Sequence, residues 1–167
     1  VTIRPVKPVD DRRIQAHFYT LDKTDIVSRF FQKRKSFYRA DVEGLSLVNY
    51  TSDLTLVAVV GDLGFEKVIG VGGYMMEKKR NRAEIHFTVS KAFQGMGIGG
   101  IMLKKLARAA RENGISEIFA YTAFENQRMT RLFRGLPYKV NTVVEDGMLV
   151  LICQFEERPA NNPGETG

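Results

Sequence analysis

The sequence predicts a single α/β domain of the mixed α+β type, with a central sheet of about seven mostly antiparallel strands and helices on both faces. Strand-like and helix-like segments alternate, three consecutive strands occupy the middle, and a glycine-rich segment separates a strand from an amphipathic helix. The 167 residues, 44% of them hydrophobic, suffice for one core. We expect the domain to span residues 1–155 and residues 156–167 to form a disordered tail.

The first segments predict one strand followed by two helices. Residues 2–6 are short, β-branched and end against prolines, as a first strand does. Residues 8–21 and 22–32 then place apolar side chains at helical spacing. A basic run at 32–35 follows the second helix.

The middle of the chain predicts three antiparallel strands and then a helix. Leu54–Val60, 67–76 and 83–89 are β-branched or aromatic, and the turns between them are polar. The period then changes to 3.6 residues, with one apolar and one charged face, and Asn113-Gly114 ends the helix. The apolar face consists of Met102, Leu103, Leu106, Ala109 and Ala110.

The last third predicts a strand, a helix and a hairpin. Glu117–Thr122 is the strand, and 125–134 is the helix, for which Gly135 is expected to supply a left-handed cap. Residues 138–144 and 148–155 flank Asp146-Gly147, the strongest hairpin signal in the chain.

Composition limits the functional classes. There are 25 Lys and Arg against 19 Asp and Glu, so the net charge is +6. No apolar run reaches the roughly 18 residues that a membrane helix needs, so we expect a cytoplasmic protein without membrane association. The single cysteine, Cys153, is expected to be a buried hydrophobe, and no Cys/His spacing suggests a metal. Because the chain begins at Val1, we expect a processed chain or a piece of a longer protein.

The glycine-rich segment at 94–100 is the most informative part of the chain. Glycines let successive backbone N–H groups converge on an anion, and the following helix adds partial positive charge at its N-terminus. A diphosphate is therefore the expected ligand, and a turn that only connects two elements is the alternative. A P-loop is excluded because Gly100 is followed by Ile101 and not by lysine and a hydroxyl residue.

Two interpretations of the glycines remain. Gly95, Gly97 and Gly100 match the dinucleotide pattern GxGxxG literally. That fold should begin with this unit and carry an acidic residue at the end of the next strand, whereas here three antiparallel strands precede the glycines. The context therefore disfavours a dinucleotide.

The segment resembles the acetyl-coenzyme A-binding motif of the GNAT acetyltransferase superfamily, Gln/Arg-x-x-Gly-x-Gly/Ala, through Gln94, Gly97 and Gly99. The family's order of strands and helices is similar to the predicted order over most of the chain. Asn126 resembles the Asn that opens the family's last helix. Residues 3–5, 29–31, 49–50 and 83–84 resemble the bacterial protein-lysine acetyltransferase branch.

The resemblance implies acetyl-CoA as cosubstrate and assigns its contacts. The pantetheine arm would form hydrogen bonds with the backbone of Phe87 and Val89, at the end of the preceding strand. Asn126 would contact the coenzyme. The N–H group of Val89 is the candidate donor that polarises the thioester carbonyl. The pyrophosphate would lie on the backbone amides of Gln94, Gly95, Met96, Gly97, Ile98, Gly99 and Gly100.

Glu84 is the leading candidate for the general base. An attacking amine is mostly protonated at pH 7, so a nearby base is useful. Glu84 stands where the resembling lysine acetyltransferases carry a catalytic glutamate, and a carboxylate inside a central strand is unusual. The alternative is an ion pair with Arg82 or another nearby cation, and His86 is the second candidate, ahead of His17.

The chain departs from the family pattern at the general acid. Many members carry a tyrosine on the last helix that protonates the leaving thiolate, and by register this position is Phe133. We expect the thiolate to take a solvent proton, with Tyr121 and Tyr138 as alternative donors. The usual Leu-Gly-Phe after that helix is here Leu136-Pro137-Tyr138.

These observations predict an N-acetyltransferase that moves acetyl from acetyl-CoA to a primary amine, with a protein lysine as the leading acceptor, by direct attack in a ternary complex. The alternative is a catalytically weak acyl-CoA-binding regulatory module, suggested by Phe133. We do not expect a nucleic-acid partner, because the basic runs fall on different elements and a polyanionic coenzyme already favours positive charge. The acceptor and the oligomeric state stay open.

Overall fold

The computed structural model describes residues 1–21 and 53–155, which form one seven-stranded sheet flanked by three helices. The expected helix at 22–32 and the expected tail at 156–167 lie outside the described residues. The strands are β1 (Thr2–Pro5), β2 (Leu54–Val60), β3 (Lys67–Glu77), β4 (Arg82–Val89), β5 (Glu117–Thr122), β6 (Lys139–Glu145) and β7 (Met148–Gln154). The helices are α1 (Asp11–Tyr19), α2 (Ile98–Glu112) and α3 (Gln127–Arg134).

The sheet order is β1-β2-β3-β4-β5-β7-β6. Every neighbouring pair is antiparallel except β4 and β5, which are parallel and are joined through α2. A parallel neighbour needs a crossover connection, and α2 supplies it. The mixed, mostly antiparallel sheet predicted from the sequence is confirmed.

The core lies on both faces of the sheet. Alternate residues of each strand point to opposite faces, so β4 sends Ile85 and Phe87 toward α2 and α3. Helix α1 covers the other face near β2 and β3 through Ile14 and Phe18. Among the described helices, none is long and apolar enough to cross a membrane.

The two predicted glycine caps have different conformations. Gly114, after α2, has φ +80°, and the N–H of Ile115 donates to the carbonyl of Ala110, as in a left-handed cap. The left-handed cap predicted at Gly135 is wrong, because its φ is −78°. Helix α3 instead ends in a tighter turn, in which Gly135 and Leu136 donate to the carbonyls three residues earlier.

The final hairpin has the predicted turn. Asp146 and Gly147 both have positive φ, +54° and +75°, so the two-residue loop between β6 and β7 is of type I′. This turn matches the right-handed twist of paired strands. The pair Glu145 and Met148 directly precedes and follows it.

Asp10 joins β1 to α1. Its carboxylate is fully buried and accepts hydrogen bonds from the Arg4 guanidinium (2.8 and 2.9 Å), the Lys7 N–H (2.8 Å) and Arg13 (3.4 Å). Burial alone would raise the pKa of Asp10, but the hydrogen bonds from Arg4 and the Lys7 amide outweigh burial and leave the pKa below its ordinary value. The carboxylate is therefore charged in the folded protein and tied to its neighbours.

Strands β4 and β5 pair only at their beginnings. The parallel register joins Arg82 to Glu117 and ends with Glu84 opposite Phe119. Beyond that point β4 continues to Val89 without a β5 partner among the described pairings. One edge of the second half of β4 is therefore open.

Candidate functional site

A cavity of about 230 Å³ lies at the open end of β4, between the glycine loop and the first turns of α3. Both backbone and side chains contribute to its wall. It is lined by Phe87, Thr88, Val89, Phe93, Gln94, Gly95, Gly97, Ile98, Gly99, Gly100, Asn126, Arg128, Met129, Arg131 and Leu132.

The glycine loop directs N–H groups toward this cavity. Gly97 is the N-cap of α2 with φ +85°, and the N–H of Ile101 donates to its carbonyl at 3.1 Å. The N–H groups of Ile98, Gly99 and Gly100 come before that first helical bond, so they have no partner within the helix. Together with the helix dipole, they form a binding site for an anion.

Two of the glycines are favoured for different physical reasons. Gly97 adopts the left-handed conformation that other residues rarely take, although a side chain there would meet nothing within 4 Å. At Gly99 a Cβ would lie only 3.2 Å from Cε2 of Phe87. A side chain at position 99 would therefore require the Phe87 ring or the loop to shift by a few tenths of an ångström.

The open edge of β4 offers backbone groups to an extended ligand. The N–H of Ser90 donates to the carbonyl of Ile69 on β3 at 2.8 Å, so Ser90 faces β3. Backbone direction alternates along a strand. Phe87 and Val89 therefore present their N–H and C=O groups to the gap between β4 and β5.

Two successive hydrogen bonds through Gln94 join the glycine loop, the end of β4 and α3. Gln94 Nε2 donates to the carbonyl of Val89 at 2.9 Å, and Arg128 Nη1 donates to Gln94 Oε1 at 2.7 Å. The glycine loop is thereby attached both to the end of β4 and to α3. Arg128 and Arg131 also add positive charge to the cavity wall.

The opposite face of β4 carries the candidate base. Glu84, His86 and Thr88 alternate with the core-facing residues, so they point away from α2. Glu84 is half-buried, and its Oε2 atom is shielded from solvent. On β5, Phe119 and Tyr121 lie on this same face, in a small apolar cluster with Val150 of β7.

Arg82 is the ion-pair partner that the sequence offers Glu84 as an alternative to catalysis. It forms ion pairs with Glu77 and Glu117, and its guanidinium lies 4.2 Å from the centre of the Phe119 ring. Arg82 therefore has two other carboxylates beside it.

His17 ties α1 to the end of β4. Its Nε2 atom lies 2.8 Å from Thr88 Oγ1, and its Nδ1 atom lies 3.1 Å from Ser90 Oγ. The ring is buried. Because both nitrogens have hydrogen-bonding neighbours, the geometry indicates a structural role for His17, whereas His86 lies in the sheet closer to Glu84.

The two candidate catalytic groups lie at opposite ends of β4. Glu84 and Val89 are five residues apart, and a strand rises about 3.3 Å per residue, so their Cα atoms are about 16 Å apart. A carboxylate cannot span that distance directly. A proton path from an amine near Val89 to Glu84 would therefore need an intermediary, either water or a side chain such as His86.

The aromatic residues considered as proton donors occupy different places. Phe133 is fully buried in the core. Tyr138 packs edge-on against Phe155 and lies under Arg111, near the far end of α2, about 20 Å from the glycine loop by helix rise. Of the two tyrosines, Tyr121 is the one on the Glu84 face, and its hydroxyl lies 3.5 Å from Glu145 Oε2.

Cys153 offers no nucleophile. It is buried, and burial raises the pKa of its thiol to about 12. This agrees with the buried hydrophobe expected from the sequence, and it is the chain's single cysteine. Within residues 1–21 and 53–155, no group of three His, Cys, Asp or Glu side chains is placed to hold a metal ion.

Nine of the ten residues that the sequence assigned to the coenzyme line this one cavity, and Met96 is the exception. Its side chain is exposed and lies outside the lining. Sequence reasoning missed Phe93 and the cationic pair Arg128 and Arg131. The i, i+3 spacing of these arginines after Asn126 was the available signal, because it places both on one face of α3.

The known proteins that this chain resembles are acetyltransferases. The family model described as Acetyltransferase (GNAT) family matches residues 21–136. An acetyltransferase of Pseudomonas aeruginosa is 24% identical over 138 residues, covering 83% of this chain and 74% of that protein. Acetyltransferase Pat of Mycolicibacterium smegmatis is 30% identical over 135 residues, covering 80% of this chain but only 40% of that protein.

Solved structures share the fold. The GNAT domain of S. lividans PAT superposes with a TM-score of 0.71 at 22% identity, covering 92% of this chain and 89% of that one. The PaiA N-acetyltransferase from Thermoplasma acidophilum, solved in complex with coenzyme A, gives a TM-score of 0.66 at 17% identity, covering 92% and 98%.

Proposed function

Because the chain belongs to the acetyltransferase (GNAT) family, we propose that it transfers the acetyl group of acetyl-CoA to a primary amine. A lysine side chain of a protein is the leading acceptor. The observation that carries the proposal is the cavity in which the glycine loop, the open edge of β4 and two arginines meet. The extent of the domain, 1–155, and a cytoplasmic location stay predictions.

The residues of the cavity fit the coenzyme. The N–H groups at the start of α2, together with Arg128 and Arg131, would hold the phosphates. The backbone groups of Phe87 and the N–H of Val89, which face the gap between β4 and β5, would hold the pantetheine arm as an added strand. When bound, the coenzyme supplies an acetyl thioester.

Similarity to other acetyltransferases supports a protein lysine as the acceptor. Sequence features at residues 3–5 and 83–84 resemble the protein-lysine acetyltransferase branch. The similarity to acetyltransferase Pat and to the GNAT domain of PAT supports the same branch. We therefore propose a protein lysine ahead of a small polyamine.

The chain's own groups would perform two tasks. An alkyl ammonium with a pKa near 10.4 must lose a proton before it attacks, and Glu84 would accept that proton through water. The N–H group of Val89 would donate a hydrogen bond to the carbonyl oxygen as negative charge develops there. His86 is the second candidate for the base.

The remaining steps need no covalent link to the protein. Because the Cys153 thiol is buried and has a raised pKa, we propose direct attack of the amine in a ternary complex. Phe133 cannot donate a proton, so the leaving thiolate would take one from solvent. Tyr121, which lies on the same face of the sheet as Glu84, is the alternative donor.

Isothermal titration of acetyl-CoA, with free CoA and NADH as parallel titrants, tests the proposal. We expect both coenzyme A forms to bind and NADH not to bind. Binding of NADH alone would support the dinucleotide interpretation of the glycines instead. Release of free thiol with lysine peptides, and not with acetyl-CoA alone, then tests transfer.

A second candidate function is a regulatory acyl-CoA-binding module with little catalysis. The specific observation in its favour is the fully buried Phe133 at the position where many relatives carry a proton-donating tyrosine. Coenzyme binding without thiol release across a panel of amines and lysine peptides would favour this module over the enzyme.

A further inference from the structure

Strand β6 ends the sheet, and its outer edge is open in the described part of the chain. It is the last strand in the sheet order, and β7 occupies its other edge. All of its residues except Val140 are exposed, including Val143 at 46% and Val144 at 65%. Exposed strand edges with β-branched side chains are sites where a further strand can pair.

The turn geometry shows which backbone groups this edge offers. In a two-residue type I′ hairpin, the residues that flank the loop form a hydrogen-bonded pair, here Glu145 with Met148. Hydrogen-bonded and non-hydrogen-bonded pairs alternate along an antiparallel ladder. Val140, Thr142 and Val144 therefore direct their N–H and C=O groups away from β7.

We propose that this edge pairs with β6 of a second copy of the chain, antiparallel and centred on Thr142. In this register Thr142 of one copy faces Thr142 of the other, and Val140 faces Val144 on both sides. All three residues with outward backbone groups then lie in hydrogen-bonded pairs. The interface is isologous, as two-fold dimers are.

Charge complementarity supports this occupant and this register. Lys139 begins β6 and Glu145 ends it. Six residues of strand separate them by about 20 Å, so the two side chains cannot pair within one chain. In the antiparallel register Lys139 of each copy lies opposite Glu145 of the other. There Glu145 would exchange its 3.5 Å contact with the Tyr121 hydroxyl for a cross-strand pair of opposite charge, and the dimer would hold two such pairs.

The apolar side chains fit the same arrangement. Val140 packs against the core on the side of α2 and α3, and Val144 points to that same side of the strand. Pairing would place the exposed Val144 of one copy beside Val140 of the other. Since β7 and β5 separate β6 from β4, the cavity would stay open in both copies.

Sedimentation equilibrium of charge variants tests the proposal. Lys139→Glu changes the net charge from +6 to 24 − 20 = +4, and Glu145→Lys changes it to 26 − 18 = +8. We expect each single variant to raise the dimer dissociation constant about tenfold or more, because each puts like charges opposite one another. The double variant, again +6, should restore the parent value within about threefold.

If repulsion between the net charges of the two copies governed association, Lys139→Glu would strengthen association and Glu145→Lys would weaken it. That pattern, or a double variant that stays as weak as the singles, would overturn the register. A parent chain that stays monomeric up to about 100 µM would overturn the dimer itself. Coenzyme titration of every variant shows that the fold is intact, and its success or failure is independent of self-association.

Thr142→Pro gives a test without charge. Its N–H points outward, so proline removes no hydrogen bond to β7, and edge strands tolerate proline at such positions. We expect this variant to be monomeric with normal coenzyme binding. A dimer unaffected by this substitution would show that another surface joins the two copies.

Discussion

The two sides of β4 differ in the groups that they offer to a ligand, which are backbone groups on one side and side chains on the other. On the proposed coenzyme side, many of the polar groups offered to a ligand belong to the backbone: N–H groups at the start of α2, the open strand edge at Val89, and glycines that permit both. On the opposite face, which we propose as the acceptor side, side chains would carry the chemistry, and Glu84, His86 and Tyr121 come from two strands. The first side depends on conformation, and the second depends on which side chains the fold brings together.

This difference predicts how each side responds to substitution. A backbone site should fail when a residue can no longer adopt the required φ, even where there is room for a side chain. A side-chain site should keep binding and lose rate when one functional group is changed. Variants on the two sides therefore separate binding from turnover.

Gly97→Val should have the largest effect. A Cβ at this position meets nothing within 4 Å, so the damage comes from φ +85°, which valine strongly disfavours. We expect coenzyme affinity to fall by more than about a hundredfold in calorimetry, because the loop's N–H groups lose their alignment.

Gly114→Val is the matched control for that variant. Gly114 has φ +80°, also without neighbours within 4 Å, at the other end of α2. It should lose a similar amount of stability, about 1–2 kcal/mol, and bind the coenzyme normally. Equal loss of binding in both variants would mean that general strain, and not the loop, was responsible.

Glu84→Gln should come next and should affect turnover. General-base catalysis contributes about 10²–10⁴ in rate, so we expect a loss of about a hundredfold or more in thiol release with little change in coenzyme affinity. Glu77→Gln, which removes a carboxylate paired with Arg82, is the control and should keep full turnover. Unchanged turnover in Glu84→Gln, with a loss in His86→Ala, would transfer the role to His86.

Arg128→Leu should have an intermediate effect on binding. The substitution removes a positive charge from the cavity wall and the hydrogen bond to Gln94 at 2.7 Å. We expect coenzyme affinity to fall about tenfold and to depend less on salt. Arg134→Leu removes the same charge from the exposed end of α3, away from the cavity lining, and should change affinity little.

Asp10→Asn should leave the site unchanged and destabilise the fold. The carboxylate is buried among Arg4, Arg13 and the Lys7 amide, so its loss should cost about 3 kcal/mol in urea unfolding at pH 7. Coenzyme affinity should not change. The exposed Asp62→Asn should alter stability by less than about 0.5 kcal/mol.

The pH dependence of that loss follows from the lowered pKa of Asp10 in the folded protein. The charged carboxylate favours folding, so its stabilisation is fully present above the ordinary pKa of 3.8 and is lost as pH falls through the lower folded pKa. The stability difference between parent and Asp10→Asn should therefore shrink below about pH 4. A difference that is constant down to pH 2 would contradict the assigned pKa direction.

Local patterns explain why much of the fold could be predicted. Asp146-Gly147 prefers positive φ in any context, and the structure has the type I′ turn there. Gly135 shows the limit of such signals, because glycine permits a left-handed cap without requiring one. Tertiary packing of the buried Leu136 accompanies a different ending of α3.

The sequence by itself determined the order of the described strands and helices and the glycine loop at the start of α2, because these depend on backbone preferences over a few neighbouring positions. The residues assigned to the coenzyme came from the resemblance of Gln94, Gly97 and Gly99 to a family motif, and that assignment stays a prediction. Tertiary structure alone decided that β4 separates from β5 after Glu84, that Arg128 reaches Gln94, and that Tyr121 shares a face with Glu84. These relations join residues distant in sequence. Their geometry is set by strand register and helix packing, which no local pattern specifies.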